Sequence, residues 1–342
     1  MKLAIHLFGF TVPVLLLLAG CGSSPSSGIG SGTPLTSGGA TSIYVIQNTS
    51  TGTNNSILQF PASSNGTVSP SSTLLPPAAM NVGALATDSS GQIYVAGTIS
   101  GQYEVLVYAA GASGSATPLR TIIENAANVV IPNSLAVDSA GAVYVLGPSS
   151  LGVFAANANG TSSPIRLIQG ALTQLNSPNE VTVDGTGNIY VTAGAILIFA
   201  SGATGNVAPT RVITTAIPFS TFTGIAVDSA SNIYMTENTS IVNPLTGGIS
   251  TAATLVEFSS GASGAATPTK SVSGSATGLT LAGGLSRDNA GNIYILNVFI
   301  PTTGSATFNV LGFSPNATGN VGPGINFNSS AWTDPGEQIA LK

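Results

Sequence analysis

The chain has 342 residues, of which 43% are hydrophobic and only 6% are charged, with seven basic and twelve acidic side chains. Nucleic-acid binding needs clustered Lys and Arg to neutralise phosphates, so this acidic balance argues against a nucleic-acid partner. The 42 Gly and 20 Pro residues, together with the lack of long helical periodicity after the N-terminus, predict an all-β protein rich in turns.

The first residues form a targeting segment. Lys2 precedes an apolar run from Leu3 to Leu18, and the run ends in Leu-Ala-Gly-Cys at positions 18–21. This pattern resembles the lipobox of bacterial lipoproteins, in which cleavage precedes a Cys whose thiol is lipidated; an ordinary secretory signal is the alternative. We therefore expect residues 1–20 to be a lipoprotein signal peptide and Cys21 to carry lipid that anchors the protein in a membrane.

The segment after the cleavage site predicts where the protein goes. Gly22, rather than Asp, follows Cys21, and by resemblance to lipoprotein sorting signals this favours the outer membrane of the bacterial cell envelope. Residues 21–41 comprise the lipidated Cys and a Ser/Gly-rich stretch, which predicts a flexible tether. Cleavage removes Lys2 and His6, so the mature chain keeps six basic residues and contains no His.

From residue 42 onward the sequence repeats a strand–turn–strand unit. In five copies an Asp stands six residues before a Tyr, and a Gly lies three residues after the Asp in all copies except the one with Ser231. The repeated aspartates are Asp88, Asp138, Asp184, Asp228 and Asp288. Each follows an apolar run (strand a) and precedes a β-branched and aromatic run (strand b), which indicates an Asx turn between two strands.

A second set of residues follows each Tyr, and the spacings within the set are fixed. An aromatic residue ends the next apolar run, a Gly comes six residues later, a Pro four residues after that and an apolar residue four further on. The aromatic positions are Phe60, Tyr108, Phe154, Phe199, Phe258 and Phe313. These spacings predict two more strands, c and d, so that each unit holds the four short strands of a propeller blade.

The repeats resemble those of NHL-type and related bacterial propellers over about residues 42–342. The resemblance implies an all-β domain, a six-bladed β-propeller. The last residues, 339–342, read as a strand a that stops before strand b, whereas the first unit begins directly with strand b at Ser42. We therefore predict that the C-terminal strand completes the N-terminal blade and closes the ring.

Spacing separates the two faces of this ring. The distance from Asp to Tyr is always six residues and from the aromatic residue to Pro always ten, so the a–b and c–d turns form what we call the regular face. From Tyr to the aromatic residue the spacing varies from 9 to 24 residues, so the b–c loops, together with the d–a connections, form a variable face. Loops on a rigid scaffold often carry binding, although drift in loop length is the alternative.

Several kinds of chemistry are excluded in the mature chain. Without His or a free Cys, it cannot build Ser-His-Asp or Cys-His catalysis or most zinc sites. The repeated aspartates are interpreted as turn formers. Four basic residues stand two positions after the repeated Pro, and we interpret them as guards against edge pairing, with binding of anionic lipid or polysaccharide as the alternative. They are Arg120, Arg166, Arg211 and Lys270.

A candidate ligand site is predicted at the channel mouth on the variable face. Glu180 opens a strand a and should face the axis, and Glu237 begins the longest b–c loop. Further acidic and aromatic residues in the d–a connections should lie nearby: Phe222, Trp332, Asp334 and Glu337. A few polar groups with aromatic residues are typical of a ligand site, and ordinary loop residues are the alternative.

Taken together, these patterns favour a cell-envelope lipoprotein whose propeller binds or scaffolds a protein or a glycan. We expect a monomer with no cofactor and no enzymatic activity. One alternative is a carboxylate-based enzyme directed at lactones or sugars, using Ca²⁺ held by Glu and Asp within about 5 Å of one another. Another is a purely structural protein with no specific ligand.

Overall fold

The structure is a computed structural model that describes residues 32–48, 55–124, 132–215, 220–242, 249–299, 306–332 and 335–342. Its regular structure is almost entirely β-strand, with two short 3-10 helices at Ala171–Thr173 and Ser275–Thr277. Within these residues, no helix is long and apolar enough to cross a membrane. The predicted all-β class is confirmed, whereas the predicted signal peptide and Cys21 lie outside the described residues.

The strands are short and follow one another closely. The first nine are β1 (Ser42–Gln47), β2 (Ser56–Pro61), β3 (Gly66–Thr67), β4 (Ser72–Leu74), β5 (Met80–Thr87), β6 (Ile93–Ile99), β7 (Gln102–Tyr108), β8 (Arg120–Glu124) and β9 (Ser134–Val137). The next nine are β10 (Val143–Leu146), β11 (Ser150–Phe154), β12 (Gly160–Ser162), β13 (Arg166–Gln169), β14 (Val181–Val183), β15 (Ile189–Thr192), β16 (Ile196–Phe199), β17 (Arg211–Thr214) and β18 (Ser220–Val227). The last nine are β19 (Ile233–Val242), β20 (Ile249–Phe258), β21 (Gly264–Ala265), β22 (Lys270–Val272), β23 (Leu281–Arg287), β24 (Ile293–Phe299), β25 (Thr307–Phe313), β26 (Ile325–Asn328) and β27 (Pro335–Leu341).

Twenty-four of these strands form the six antiparallel blades of a propeller, and β3, β12 and β21 each add in parallel to the outer edge of one blade. In strand order the blades are β27-β1-β2-β4, β5-β6-β7-β8, β9-β10-β11-β13, β14-β15-β16-β17, β18-β19-β20-β22 and β23-β24-β25-β26. The first strand of each blade contacts the first strands of both neighbouring blades, so these six strands surround the axis. The predicted six-bladed propeller is confirmed.

The C-terminal strand closes the ring. In the ladder between β27 and β1, Tyr44 lies opposite Ala340, and Ile43 lies opposite Leu341. At the end of the ladder, the backbone N–H groups of Ser42 and Lys342 each donate to the other residue's carbonyl over 3.0 Å. The first blade is therefore assembled from both ends of the propeller sequence, as predicted.

The repeated Gly and apolar residue of each unit pair across blades, which the sequence analysis missed. The c–d turn of each blade adds a short parallel segment to the outermost strand of the preceding blade, for example Gly160 of β12 opposite Ile122 of β8. The other pairs are Gly66–Phe327, Gly114–Leu74, Gly205–Ile168, Gly264–Ile213 and Gly319–Val272. These glycines have φ between 57° and 75°, a conformation that side chains resist.

The apolar core consists of packed layers between adjacent blades. The layer between the first and second blades, for example, contains Tyr44 from one and Ile93 and Tyr108 from the other, all at most 1% exposed. The Tyr of strand b therefore points to one side of its sheet and its Ile and Val neighbours to the other, as strand geometry requires. Burial of each such side chain contributes about 1.5–3 kcal/mol, which makes the blades mutually dependent.

Residues 32–41, the last part of the predicted flexible tether, lie against the regular face of the sixth blade. The N–H of Thr36 donates to Asn292 Oδ1 over 2.7 Å, and Asn292 Nδ2 donates back to the Thr36 carbonyl over 2.8 Å. The N–H of Ala40 donates to Asp288 Oδ2 over 3.0 Å. Leu35 packs on the core between the sixth and first blades. This part of the segment is therefore bound to the ring, contrary to the expectation of a free tether.

Candidate functional site

Glu180 links two blades and does not stand free at the channel mouth. It precedes β14, is 9% exposed, and its Oε2 accepts a hydrogen bond from the N–H of Ile225 in the next blade over 2.9 Å. Two residues at the equivalent position act in the same way. The hydroxyl of Ser134 accepts from Val181 N–H over 3.2 Å, and Gln338 Oε1 accepts from Leu85 N–H over 2.8 Å. At this position a polar side chain therefore joins neighbouring inner strands.

Glu237 and Phe222 lie opposite each other in the ladder between β18 and β19. Glu237 is only 1% exposed, and its Oε1 accepts a hydrogen bond from the Thr215 hydroxyl over 2.8 Å. Phe222 is 2% exposed and packs in the core between the fourth and fifth blades. Both side chains are buried near the start of the long hairpin that β19 and β20 form.

Trp332 is likewise a core residue. Its ring lies 5.1 Å from that of Phe60 and 5.6 Å from that of Phe327, between the first and sixth blades. Asp334 lies outside the described residues, and although Glu337 is part of β27, its side chain is not described. The predicted open ligand site is therefore not supported by Glu180, Glu237, Phe222 and Trp332, because packing against neighbouring blades buries all four.

The described acidic residues also do not gather into an ion site. No group of three or more His, Cys, Asp or Glu side chains in the described ranges is placed to hold a metal ion. Instead, the repeated aspartates order the a–b turns. Asp184 Oδ1 accepts the N–H groups of Thr186 and Asn188 over 2.9 and 3.0 Å, which confirms the predicted turn-forming role.

The second carboxylate oxygen of each repeated Asp accepts from the Tyr hydroxyl six residues later, a pairing that the sequence analysis missed. The distance is 2.9 Å for Asp184 and Tyr190 and lies between 3.1 and 3.3 Å in the other four copies. Burial raises the pKa of Asp184, but hydrogen bonds from Asn188, Thr186 and Tyr190 lower it more, so its pKa lies well below the usual range. The invariant six-residue spacing between Asp and Tyr is the sequence feature that could have predicted this hydrogen bond.

Tyr44 of the first blade lacks such a partner. Lys342 occupies the position of the Asp; burial raises the pKa of the Tyr44 hydroxyl, and a hydrogen bond with the Ser42 side chain lowers it. The closing blade therefore lacks the carboxylate that the other five blades share.

The basic residues of the outer strands hold adjacent blades together, which corrects their interpretation as edge guards. The guanidinium of Arg166 lies 5.6 Å above the ring of Tyr144, and it donates to the Ser201 carbonyl in the c–d turn of the next blade. Arg120 reaches the Ala158 carbonyl in the same way over 2.9 Å. Arg211 and Lys270 bond to the following c–d turns at Ser260 and Pro315.

The described residues form two notable cavities. One, of about 660 Å³, lies on the variable face of the third blade between the b–c turn at Ser149 and the d–a connection. Its lining includes three amide side chains, Gln169, Gln174 and Asn176. The other, of about 440 Å³, lies on the outer side of the ring between the first and second blades, and its lining is mainly apolar.

Comparison with known proteins identifies the fold and no more. No protein-family model matches the chain, and neither does any curated protein. A Bacteroides caccae protein of unknown function superposes with a TM-score of 0.54 and 12% identity, over 88% of this chain and 98% of its own. A Lactobacillus plantarum protein gives 0.47 and 13%, over 80% and 92% of the two chains. A luciferin-regenerating enzyme gives 0.49 and 11%, over 84% and 96%. Such low identities carry no function across.

Proposed function

We propose that this protein is a bacterial cell-envelope lipoprotein with NHL-type repeats, whose propeller binds or scaffolds a protein or a glycan through its variable face. One observation carries the proposal: residues 32–41 run along the regular face, bonded to Asp288 and Asn292 of the sixth blade. Residues 22–31 can span at most about 35 Å between a lipid on Cys21 and this attachment. Such a link would hold the regular face towards the membrane and leave the variable face open to partners.

The variable face carries a long hairpin and a cavity, two surface features that can take part in recognition. The strands β19 and β20 pair over ten residues, from Ile233 opposite Phe258 to Val242 opposite Ile249, and form a hairpin longer than the corresponding one in the third or fourth blade. The amide-lined cavity of the third blade lies on the same face. Amides both donate and accept hydrogen bonds, which suits sugar hydroxyls and peptide groups alike.

The carboxylate-enzyme alternative gains no support from the described residues. Glu180 and Glu237 bond to separate groups of the ring, the N–H of Ile225 and the hydroxyl of Thr215. No third acidic side chain within the described ranges completes a metal group with them. The binding proposal is therefore the one that the geometry favours.

Anchoring is tested by membrane fractionation of cells that produce the full chain. Cys21→Ser removes the thiol that would be lipidated, and Gly22→Ala is a matched control that leaves it in place. We expect the wild type and the control in the detergent phase of the membrane fraction, and the Cys21→Ser protein outside it. A Cys21→Ser protein that is processed and retained like the wild type would refute the lipoprotein assignment.

Recognition is tested by capture from envelope extracts with a variant whose long hairpin is shortened. Residues 240–251 are removed and Thr239 is joined to Ala252, its partner in the ladder, through a two-residue Asn-Gly turn, which leaves the buried Glu237 in place. The control carries Ser89→Arg and Gly185→Arg, two exposed positions on the regular face. We expect the shortened variant to lose partners that the control retains; equal recovery by both would contradict recognition through the hairpin.

A further inference from the structure

The cavity on the variable face of the third blade presents accessible hydrogen-bonding groups. Its volume of about 660 Å³ falls in the range of ligand pockets. Ser149 of the b–c turn and parts of the d–a connection between residues 169 and 176 line it. The amide side chains of this lining are exposed, and none has a hydrogen-bond partner among the described residues: Gln169, Gln174 and Asn176. A ligand in the cavity can therefore reach their donors and acceptors.

The d–a connection after the fifth blade has the same backbone and serves as an internal comparison. The residue before the 3-10 helix has a φ of 115° after the third blade and 114° after the fifth. An Asn of the following c–d turn holds each connection in place. Asn206 Oδ1 accepts from Leu172 N–H over 2.8 Å, and Asn320 Oδ1 accepts from Ala276 N–H over 2.7 Å. The two connections are therefore one scaffold that carries different side chains.

The three amides stand at positions where the fifth blade has small residues. Those residues are Ser273, Gly278 and Thr280. Gln174 has a φ of 60°, a left-handed conformation that favours glycine, and glycine is what the fifth blade has there. The third blade thus keeps an amide where glycine would be less strained. Residues held in such conformations are frequent in ligand sites.

The chemistry of the lining favours a neutral sugar. Among the described residues that line the cavity there is no Asp, Glu, Lys or Arg. Each side-chain amide both donates and accepts hydrogen bonds, as does each hydroxyl of a sugar, and the exposed Ala171 adds apolar surface for the C–H groups of a ring. A peptide would instead use a free strand edge, whereas β13 pairs with β11 on one side and, at Ile168, with Gly205 on the other.

We propose that this cavity binds one sugar unit of a neutral glycan, whose hydroxyls bond to the amides of Gln169, Gln174 and Asn176. This rests on the proposed recognition through the variable face and gives its ligand class. The observation that carries it is a set of three exposed amides without partners among the described residues, on a scaffold that has none of them in the fifth blade. The cavity belongs to the third blade, so it stays intact when the hairpin of the fifth blade is shortened.

Binding is tested by saturation-transfer NMR on the mature chain, kept in a detergent without sugar groups. Cellotriose and triacetylchitotriose are the neutral glycan probes, and acetyl-Gly-Ser-Gly amide is the peptide probe. The test variant combines Gln169→Ser, Gln174→Gly and Asn176→Thr, which installs the side chains of the fifth blade on the backbone that they already fit. The control combines Asn157→Ser and Asn316→Ser, two exposed amides of c–d turns on the regular face.

We expect at least one trisaccharide to bind the wild type and the control alike, and the test variant to bind it at least about tenfold more weakly. Gln174→Gly alone should also weaken binding while it raises the melting temperature, which separates loss of the site from loss of the fold. Equal binding by the test variant and the control overturns the proposal.

Two further outcomes also overturn it. One is that neither trisaccharide binds the wild type at millimolar concentration. The other is that only the peptide probe binds and that its binding depends on the three amides. The capture experiment with the shortened hairpin tests the proposed function separately, because that variant retains the cavity and should bind the trisaccharide like the wild type.

Discussion

The two faces of this propeller are built under different constraints. On the regular face, every repeated Asp bonds to its own turn and to a Tyr of its own blade, and the c–d turns pair with the outer strands of preceding blades. On the variable face, β19 and β20 extend far beyond strands of the third and fourth blades without altering the ring. The length of a connection is therefore fixed where its turn also contacts a neighbouring blade, and it varies where no such contact is required.

Removal of β27 tests whether the regular face can hold the ring without closure. Truncation after residue 334 removes the ladder with β1 and the hydrogen bond from Leu85 N–H to Gln338. We expect a loss of more than about 5 kcal/mol, comparable to the whole stability of many domains, and hence no cooperative thermal transition by circular dichroism. Lys342→Ala, which keeps the strand, is the control. A truncated chain that melts like the control would show that the remaining contacts suffice.

Acid should weaken the regular face before the variable one. The pKa values of Asp184 and Asp228 are lower in the folded protein than in the unfolded chain; burial raises each, but hydrogen bonds outweigh it. The unfolded state therefore binds more protons as pH falls, so this stability is present above about pH 4 and is lost below it.

Asp184→Asn should flatten that acid dependence and cost about 2–4 kcal/mol at neutral pH, because Asp184 accepts six hydrogen bonds. Asp138→Asn is the matched comparison, since Asp138 accepts three. Urea unfolding between pH 2.5 and pH 7 measures both effects; the range is chosen around the usual Asp pKa of about 4. Equal losses in the two variants would contradict the role assigned to the additional hydrogen bonds.

The same Tyr substitution should destabilise two blades to different extents. Tyr190→Phe removes a hydroxyl that donates to Asp184 over 2.9 Å and should destabilise the protein by about 1–2 kcal/mol. Tyr44→Phe removes a buried hydroxyl whose partner is the neutral Ser42 side chain and not a carboxylate, and should destabilise the protein by less than about 1 kcal/mol. Chemical denaturation measures the free energy of unfolding of both variants. If both lose stability equally, the Asp–Tyr bond does not distinguish the blades.

The sequence predicted the ring better than it predicted the site, and the reason is physical. Strand content, blade number and closure follow from repeated spacings such as Asp88 to Tyr94, because each repeat reports the same local geometry. Glu180 occurs once, and whether its carboxylate meets solvent or the N–H of Ile225 depends on how neighbouring blades pack. The role of Arg166 likewise depends on a contact between blades, which no spacing within one blade encodes.

The deletion that removes the most residues should have the smallest effect on stability. Removal of residues 240–251 with an Asn-Gly closure takes away only the outer pairs of the β19–β20 ladder, beyond Thr239 and Ala252. Because long surface loops cost little entropy, stability should change by less than about 1 kcal/mol. Deletion of Gly187 alone, on the regular face, should cost more than about 3 kcal/mol, because its φ of 84° closes the turn that aligns Asp184 with Tyr190. Thermal melts compare the two. If the twelve-residue deletion in the hairpin lowers stability more than the deletion of Gly187, the two faces do not differ in the way that their contacts indicate.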